Sequence, residues 1–63
     1  MKNNIRKLRK ENGLTQQELA DKLMVAKRTI LHWEKEMSTP TINFVYDLAK
    51  VFGVDVYDVY PME

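Results

Sequence analysis

The sequence has no cysteine, only two glycines and two prolines, and a single histidine. Without cysteine, a disulfide scaffold, a thiolate zinc site and a thiol redox motif are all excluded. One histidine and no glycine-rich loop leave no constellation for metal binding or nucleophilic catalysis, so we expect no enzymatic activity and no cofactor. No apolar run approaches the roughly 18 residues that span a bilayer, and no signal peptide opens the chain. We therefore expect a cytoplasmic protein with no membrane contact.

Charge is nearly balanced over the whole chain but unevenly placed along it. The 63 residues are 44% hydrophobic and 30% charged, which is typical of one small globular domain, 1–63. The formal net charge is only +1. Residues 1–35 hold nine Lys/Arg against four Asp/Glu, a balance of +5, and residues 36–63 hold one against five, a balance of −4. The first, basic part is therefore the predicted partner surface.

Apolar residues recur at helical spacing between a few turn signals. The segment 2–11 is predicted to be a first helix, which Asn12-Gly13 ends. Thr15 and Glu18 have the spacing of a capping box, in which each side chain accepts a hydrogen bond from the other residue's backbone N–H. After the short apolar stripe of this second helix, about three residues lead to the apolar set of a third: Ala26, Ile30 and Trp33. Two short helices joined so closely indicate a helix-turn-helix.

The second half of the chain predicts one longer helix and one ambiguous segment. Thr41 is placed to cap the fourth helix and Gly53 to end it, with a buried face formed by Ile42, Val45, Leu48, Ala49 and Phe52. In residues 54–60, Asp55 and Asp58 have the spacing of a weaker capping box, which favours a last short helix. The valines of the same segment leave a strand open as the alternative.

The second and third helices together carry the pattern TQQELAxxLxVxxxxIxxWE, from Thr15 to Glu34. This pattern strongly resembles the XRE-type helix-turn-helix family, which includes the lambdoid phage repressors and Cro. The resemblance extends upstream to Ile5 and downstream to Val54, and so covers nearly the whole chain. It implies an all-α fold, a compact five-helix lambda repressor-like domain in which helices 2 and 3 form the helix-turn-helix.

The resemblance also assigns a reading surface. In this family a recognition helix, here about residues 27–34, enters the DNA major groove with its first residues against base edges. The positions that match imply base contacts from Lys27, Arg28, Thr29 and His32. They imply phosphate contacts from Gln16, which would also brace the side chain of residue 28, and from Lys35, Ser38 and Thr39 in the following loop. The alternative is a solvated side chain at Lys27, Arg28 and His32, and a local backbone hydrogen bond at Thr29.

Three further positions are interpreted as structural. The resemblance implies that Arg9 and Glu34 form a buried or half-buried ion pair, which joins the first helix to the end of the third. Trp33 shares the apolar stripe of Ala26 and Ile30, so it is predicted in the core rather than as a platform for stacking on bases.

The chain departs from the family pattern at four positions around the third helix. Met24 stands where glycine is common, and a side chain is strained there if the backbone is left-handed. Ala26 replaces the usual serine cap and removes a hydrogen-bond acceptor. Glu36 replaces a common glycine and places an acid close to the expected phosphate. Leu31 is apolar where a polar residue is usual, which suits a thymine methyl or a protein contact.

These observations predict a sequence-specific regulator, a repressor, which binds double-stranded DNA as a homodimer. Its near-palindromic operator would have half-sites about 10–10.5 bp apart. The predicted dimer surface is apolar and lies in the acidic part, at Phe44, Tyr46, Tyr57, Tyr60 and Met62, although Phe44 and Tyr60 could instead complete the core. No small-molecule ligand is expected. The alternative is a protein-interaction or antitoxin-like module on the same fold.

Overall fold

The computed structural model describes residues 2–62, and within them every regular element is an α-helix. The helices are α1 (Ile5–Glu11), α2 (Gln16–Leu23), α3 (Lys27–Glu34), α4 (Ile42–Phe52) and α5 (Val56–Val59). The predicted all-α, five-helix fold is confirmed. In residues 54–60 the helical interpretation is right and the strand is wrong, because the Asp55 and Asp58 carboxylates both accept backbone N–H groups as a capping box.

The core is built from one apolar stripe of each helix, and α2 packs against both α3 and α4. Its largest fully buried side chains are Ile5, Leu19, Ile30, Leu48 and Val59. Trp33 is 3% exposed and its ring centroid lies 5.3 Å from that of Phe44, in a tilted pair. The inner face of α3 is therefore anchored by Ile30 and Trp33, which leaves its opposite face to solvent.

The first helix begins at Ile5, three residues later than the predicted start at residue 2. Asn3 and Asn4 are used for tertiary contacts instead. The Asn3 amide donates to the Trp33 carbonyl at 2.9 Å, and its side-chain oxygen accepts from the Ile5 N–H at 3.0 Å. The Asn4 backbone N–H donates to the Val59 carbonyl at 2.9 Å. These bonds connect the start of the chain to the ends of α3 and α5, which no local pattern could reveal.

Two expectations for α4 are wrong. Ile42 was expected on the buried face but is 62% exposed, because the first turn of α4 faces a groove towards α5 rather than the closed core. Thr41 occupies the N-cap position, but its side chain makes no capping hydrogen bond. The other four predicted positions of this face, Val45, Leu48, Ala49 and Phe52, are buried.

Two left-handed residues bracket α3. Met24 has φ 59° at the end of α2 and Glu36 has φ 60° just after α3. A side chain in this region costs about 1–2 kcal/mol because Cβ crowds the following carbonyl oxygen. The glycines of this chain in the same region, Gly13 and Gly53, avoid that cost.

Met24→Gly should stabilise the protein. Met24 is 93% exposed, so its side chain contributes almost no packing, and glycine relieves the left-handed strain. After the greater unfolded-state freedom of glycine is subtracted, we expect a gain of about 0.5–1 kcal/mol in the free energy of unfolding. Urea unfolding followed by the fluorescence of Trp33, the one tryptophan, measures it. Met37→Gly is the matched control at an exposed methionine outside the left-handed region, and it should lower stability. Equal losses in both variants would contradict the argument.

Candidate nucleic-acid interface

The start of α2 is fixed by a complete capping box. The Thr15 hydroxyl accepts from the Glu18 N–H at 3.0 Å, and the Glu18 carboxylate accepts from the Thr15 N–H at 2.8 Å. The hydrogen bond from the Thr15 N–H to the Glu18 carboxylate, with a smaller contribution from the Thr15 side chain, holds the pKa of the Glu18 carboxyl below its ordinary value. The box sets where α2 begins, and so places Gln16, its first residue.

The four predicted base-contacting residues of α3 differ in their exposure. Lys27 and Arg28 are exposed in the first turn, and Thr29 and His32 are half-buried. Residues 28 and 32 are one helical turn apart and therefore share a face. Ala26, the N-cap residue, makes no side-chain capping bond. The burial of Ile30 and Trp33 in the core therefore holds α3 in place, without a side-chain capping hydrogen bond.

A buried ion pair connects Arg9 of α1 to Glu34 at the end of α3. Arg9 Nε donates to Glu34 Oε2 at 2.6 Å and Arg9 Nη2 to Glu34 Oε1 at 3.2 Å, so the pair is bidentate. The two side chains are only 9% and 3% exposed. Arg9 Nη1 also donates to the Leu14 carbonyl at 2.8 Å. One guanidinium therefore joins α1, the turn before α2 and the last residue of α3.

Gln16 belongs to this same network. Its Nε2 donates to Glu34 Oε1 at 3.1 Å, so its bracing partner in the structure is the carboxylate at the end of α3 and not residue 28. Glu34 thereby accepts from both Arg9 and Gln16, and no buried side-chain nitrogen or oxygen among residues 2–62 lacks a partner. A phosphate contact by Gln16 stays a prediction.

The loop after α3 presents the remaining predicted phosphate contacts. Lys35, Ser38 and Thr39 are all exposed, and Pro40 is buried at the end of the loop. Burial raises the pKa of the Tyr60 hydroxyl above its ordinary value. A hydrogen bond with Asn3 opposes this rise, and the negative charge of Glu36 adds to it.

The predicted dimer residues fall into two groups. Tyr46, Tyr57 and Met62 are 55%, 58% and 78% exposed. Phe44 and Tyr60 are half-buried and pack against the core, which is the position that the core alternative describes. The exposed Ile42 was not predicted to lie on the dimer surface. Periodicity assigned it to the core, because its spacing from Val45 is that of a buried position.

An apolar groove of about 340 Å³ lies between the loop, α4 and α5. Its lining residues are Thr39, Pro40, Ile42, Val45, Val56, Tyr57 and Tyr60. Thr39 also belongs to the predicted phosphate-contacting loop, so the groove adjoins the predicted DNA-facing side of the molecule. Exposed apolar surface of this kind is typical of an interaction site.

The fold and the site define a class: a small helix-turn-helix protein whose third helix is anchored from behind and basic at its exposed start. The chain matches the helix-turn-helix family over residues 5–59. It is 38% identical to an uncharacterised HTH-type transcriptional regulator of Methanocaldococcus jannaschii, over 100% of this chain and 96% of the relative. It is also 40% identical over 55 residues to the cryptic phage CTXphi transcriptional repressor RstR of Vibrio cholerae, which covers 87% of this chain and 50% of the relative. The chain belongs to the helix-turn-helix family, and the XRE-type resemblance is confirmed.

Membership makes the protein a transcriptional regulator with a helix-turn-helix DNA-binding domain, and this family is a non-enzymatic class. Within residues 2–62 no helix has both the length and the apolar character that a membrane crossing requires. In the same part of the chain, no cluster of three or more potential metal-ligating side chains is present.

Proposed function

We propose that the chain is a repressor that binds a near-palindromic operator as a homodimer, with α3 in the major groove and residues 1–63 acting as one DNA-binding domain. The observation that carries this proposal is the two-sided character of α3. Ile30 and Trp33 anchor one side in the core, while Lys27 and Arg28 stand exposed in the first turn of the other. A phage repressor among the relatives supports repression as the outcome.

Base recognition is assigned to the first turns of α3. The Arg28 guanidinium has the two parallel donors that guanine O6 and N7 accept, and Lys27 adds a point charge beside it. Thr29 and His32 complete the base-facing set. Gln16, Lys35, Ser38 and Thr39 hold the flanking phosphates, which sets the register of the helix without reading sequence.

The homodimer is assigned to the groove between α4 and α5. Tyr57 and Ile42 expose apolar area beside it, and an isologous interface would bury the patch of both copies at once. Because Thr39 lines the groove, this interface lies next to the phosphate-contacting loop and would hold two α3 helices at a fixed separation. Half-sites about 10–10.5 bp apart follow from that arrangement. As a regulator of transcription, the dimer would act in the cytoplasm.

Arg28→Ala tests the reading face. Binding sites are first selected from a random DNA pool and their affinities measured by mobility shift. The variant should lose about 1–3 kcal/mol of discrimination at one base pair, a factor of about 5 to 150. Arg28→Lys is the matched control, since it keeps the positive charge but loses the planar guanidinium. The salt dependence of its DNA binding should match that of the wild type, while its preference for one base pair should fall. If Arg28→Ala kept both affinity and preference, α3 would not read DNA through this face.

A protein-interaction module on the same fold is the second candidate, favoured by the same apolar groove. The two candidate functions predict different effects of salt on DNA binding. DNA binding weakens steeply as salt rises, because bound phosphates release counterions. Absence of salt-sensitive binding to random DNA at micromolar protein would favour the interaction module.

A further inference from the structure

Two asparagines before α1 join the end of α3 to α5, two helices that pack mainly against other partners. The Asn3 amide donates to the Trp33 carbonyl in the last turn of α3 at 2.9 Å. The Asn4 backbone N–H and side-chain amide donate to the carbonyls of Val59 and Asp58 in α5, both at 2.9 Å. α3 packs mainly against α2, whereas α5 packs mainly against α4. The two asparagines therefore supply a direct connection that helix packing does not.

The Asn3 bond reaches α3 where the helix ends. Its acceptor, the Trp33 carbonyl, also accepts from the Glu36 N–H at 3.1 Å, in the loop that follows. Glu36 has the left-handed backbone with which the chain leaves α3. The Asn3 amide adds a contact to this turn from 30 residues away in the chain. The position of the end of α3 therefore depends on Asn3 as well as on the local backbone.

On their other side, the asparagines meet the wall of the apolar groove. Val56, Tyr57 and Tyr60, the residues of α5 and its C-cap, line that groove. The side chains of Asn3 and Tyr60 form a hydrogen bond, and the Asn4 bonds hold the end of α5. The groove is the surface proposed for the homodimer. One side chain, that of Asn3, thus contacts both the wall of the proposed dimer surface and the recognition helix.

We propose that Asn3 is a positioning residue that fixes the end of α3 relative to the groove, and so sets the angle at which a dimer presents its two α3 helices. This inference rests on the proposed homodimer, which reads two half-sites at one separation. A change of one base pair in that separation rotates one half-site by about 34–36° around the duplex. A dimer with a fixed angle discriminates against the changed spacing, and a dimer whose α3 helices can tilt discriminates less.

The test compares operators that differ only in half-site spacing. Half-sites selected with the wild type are joined at the preferred spacing and at spacings one base pair shorter and longer, and each affinity is measured by mobility shift. The ratio of affinities is taken within one variant, so a loss of folded protein or an added charge cancels from it. Asn3→Ala should reduce the ratio by about 2- to 12-fold, the factor that corresponds to one ordinary hydrogen bond.

Asn4→Ala is the matched control. Asn4 is the neighbouring asparagine and is half-buried, as Asn3 is. The variant loses the side-chain bond to the Asp58 carbonyl, but it keeps the backbone bond to Val59 and leaves the Asn3 bond to α3 in place. Its spacing ratio should stay close to that of the wild type.

Asn3→Asp separates the two bonds of the Asn3 side chain. It keeps an oxygen that accepts from the Ile5 N–H and loses the donor to the Trp33 carbonyl, so it should lower the ratio as Asn3→Ala does. A wild-type ratio in Asn3→Asp, or an equal fall in Asn4→Ala, would overturn the role of Asn3 while the wild-type spacing preference still supported the dimer. A wild type with no spacing preference would overturn the proposed homodimer and this inference together.

Discussion

Glu34→Gln lowers the free energy of unfolding by about 3–5 kcal/mol, because it leaves the Arg9 guanidinium buried without its counter-charge. The two side chains are 9% and 3% exposed, so water cannot replace the lost partner. A 63-residue domain is stable by only roughly 3–9 kcal/mol, at about 0.05–0.15 kcal/mol per residue. The expected loss is therefore roughly a third or more of the total stability. Urea unfolding followed by Trp33 fluorescence measures the loss.

The matched control removes both charges. Arg9→Met combined with Glu34→Leu leaves no buried unpaired charge, and most of the stability should return. The double variant also removes the acceptor of Gln16 and the donor to the Leu14 carbonyl, so it separates folding from positioning. We expect it to fold but to bind the operator less tightly than the wild type. A loss below about 1 kcal/mol in Glu34→Gln would mean that the pair is solvated in solution, as exposed pairs are.

Ile42→Glu should reduce affinity for the full operator by roughly 10³-fold. A charge in the groove is introduced twice in an isologous dimer, and a well-packed apolar contact of this kind is worth about 2 kcal/mol per copy. Because Ile42 is 62% exposed in the monomer, the fold itself should lose no more than about 0.5 kcal/mol. Sedimentation equilibrium should show a shift to monomer, and affinity for an isolated half-site should change little.

Asn43→Glu is the control for added negative charge near DNA. Asn43 follows Ile42 on α4 and is exposed, but it does not line the groove. It should keep the dimer and most of the operator affinity. If the two variants bound the full operator equally well, the groove would not be the dimer surface, and the exposed Tyr46 and Met62 would be the next positions to substitute.

The helix-turn-helix could be predicted because its signals are local. The capping box at Thr15 and Glu18 and the apolar stripe of α3 each depend on residues within one or two turns of one another. The family resemblance then supplied what periodicity does not, namely which residues of α3 are predicted to contact bases. The Arg9 and Glu34 partnership, 25 residues apart in the chain, came from the resemblance and not from spacing.

The predictions from local sequence patterns failed where the contacts of a residue depend on a distant part of the chain. Ile42 satisfies the period of the α4 core face, but the first turn of that helix borders the groove, so the periodic position is exposed. Gln16 was expected to brace residue 28, and Glu34 takes its amide instead. Neither result follows from neighbours in the sequence, because both depend on where another helix lies.

The sequence by itself determined the first four helices, most of their boundaries and the basic start of α3. Capping carboxylates, left-handed glycines and apolar periodicity act over a few residues, so they can be recognised directly in the sequence. Only the tertiary structure decided that Asn3 and Asn4 bind the ends of α3 and α5 and that Ile42 opens onto a groove. Those outcomes are set by how packed helices are placed against one another, and many sequences with the same local pattern would place them differently.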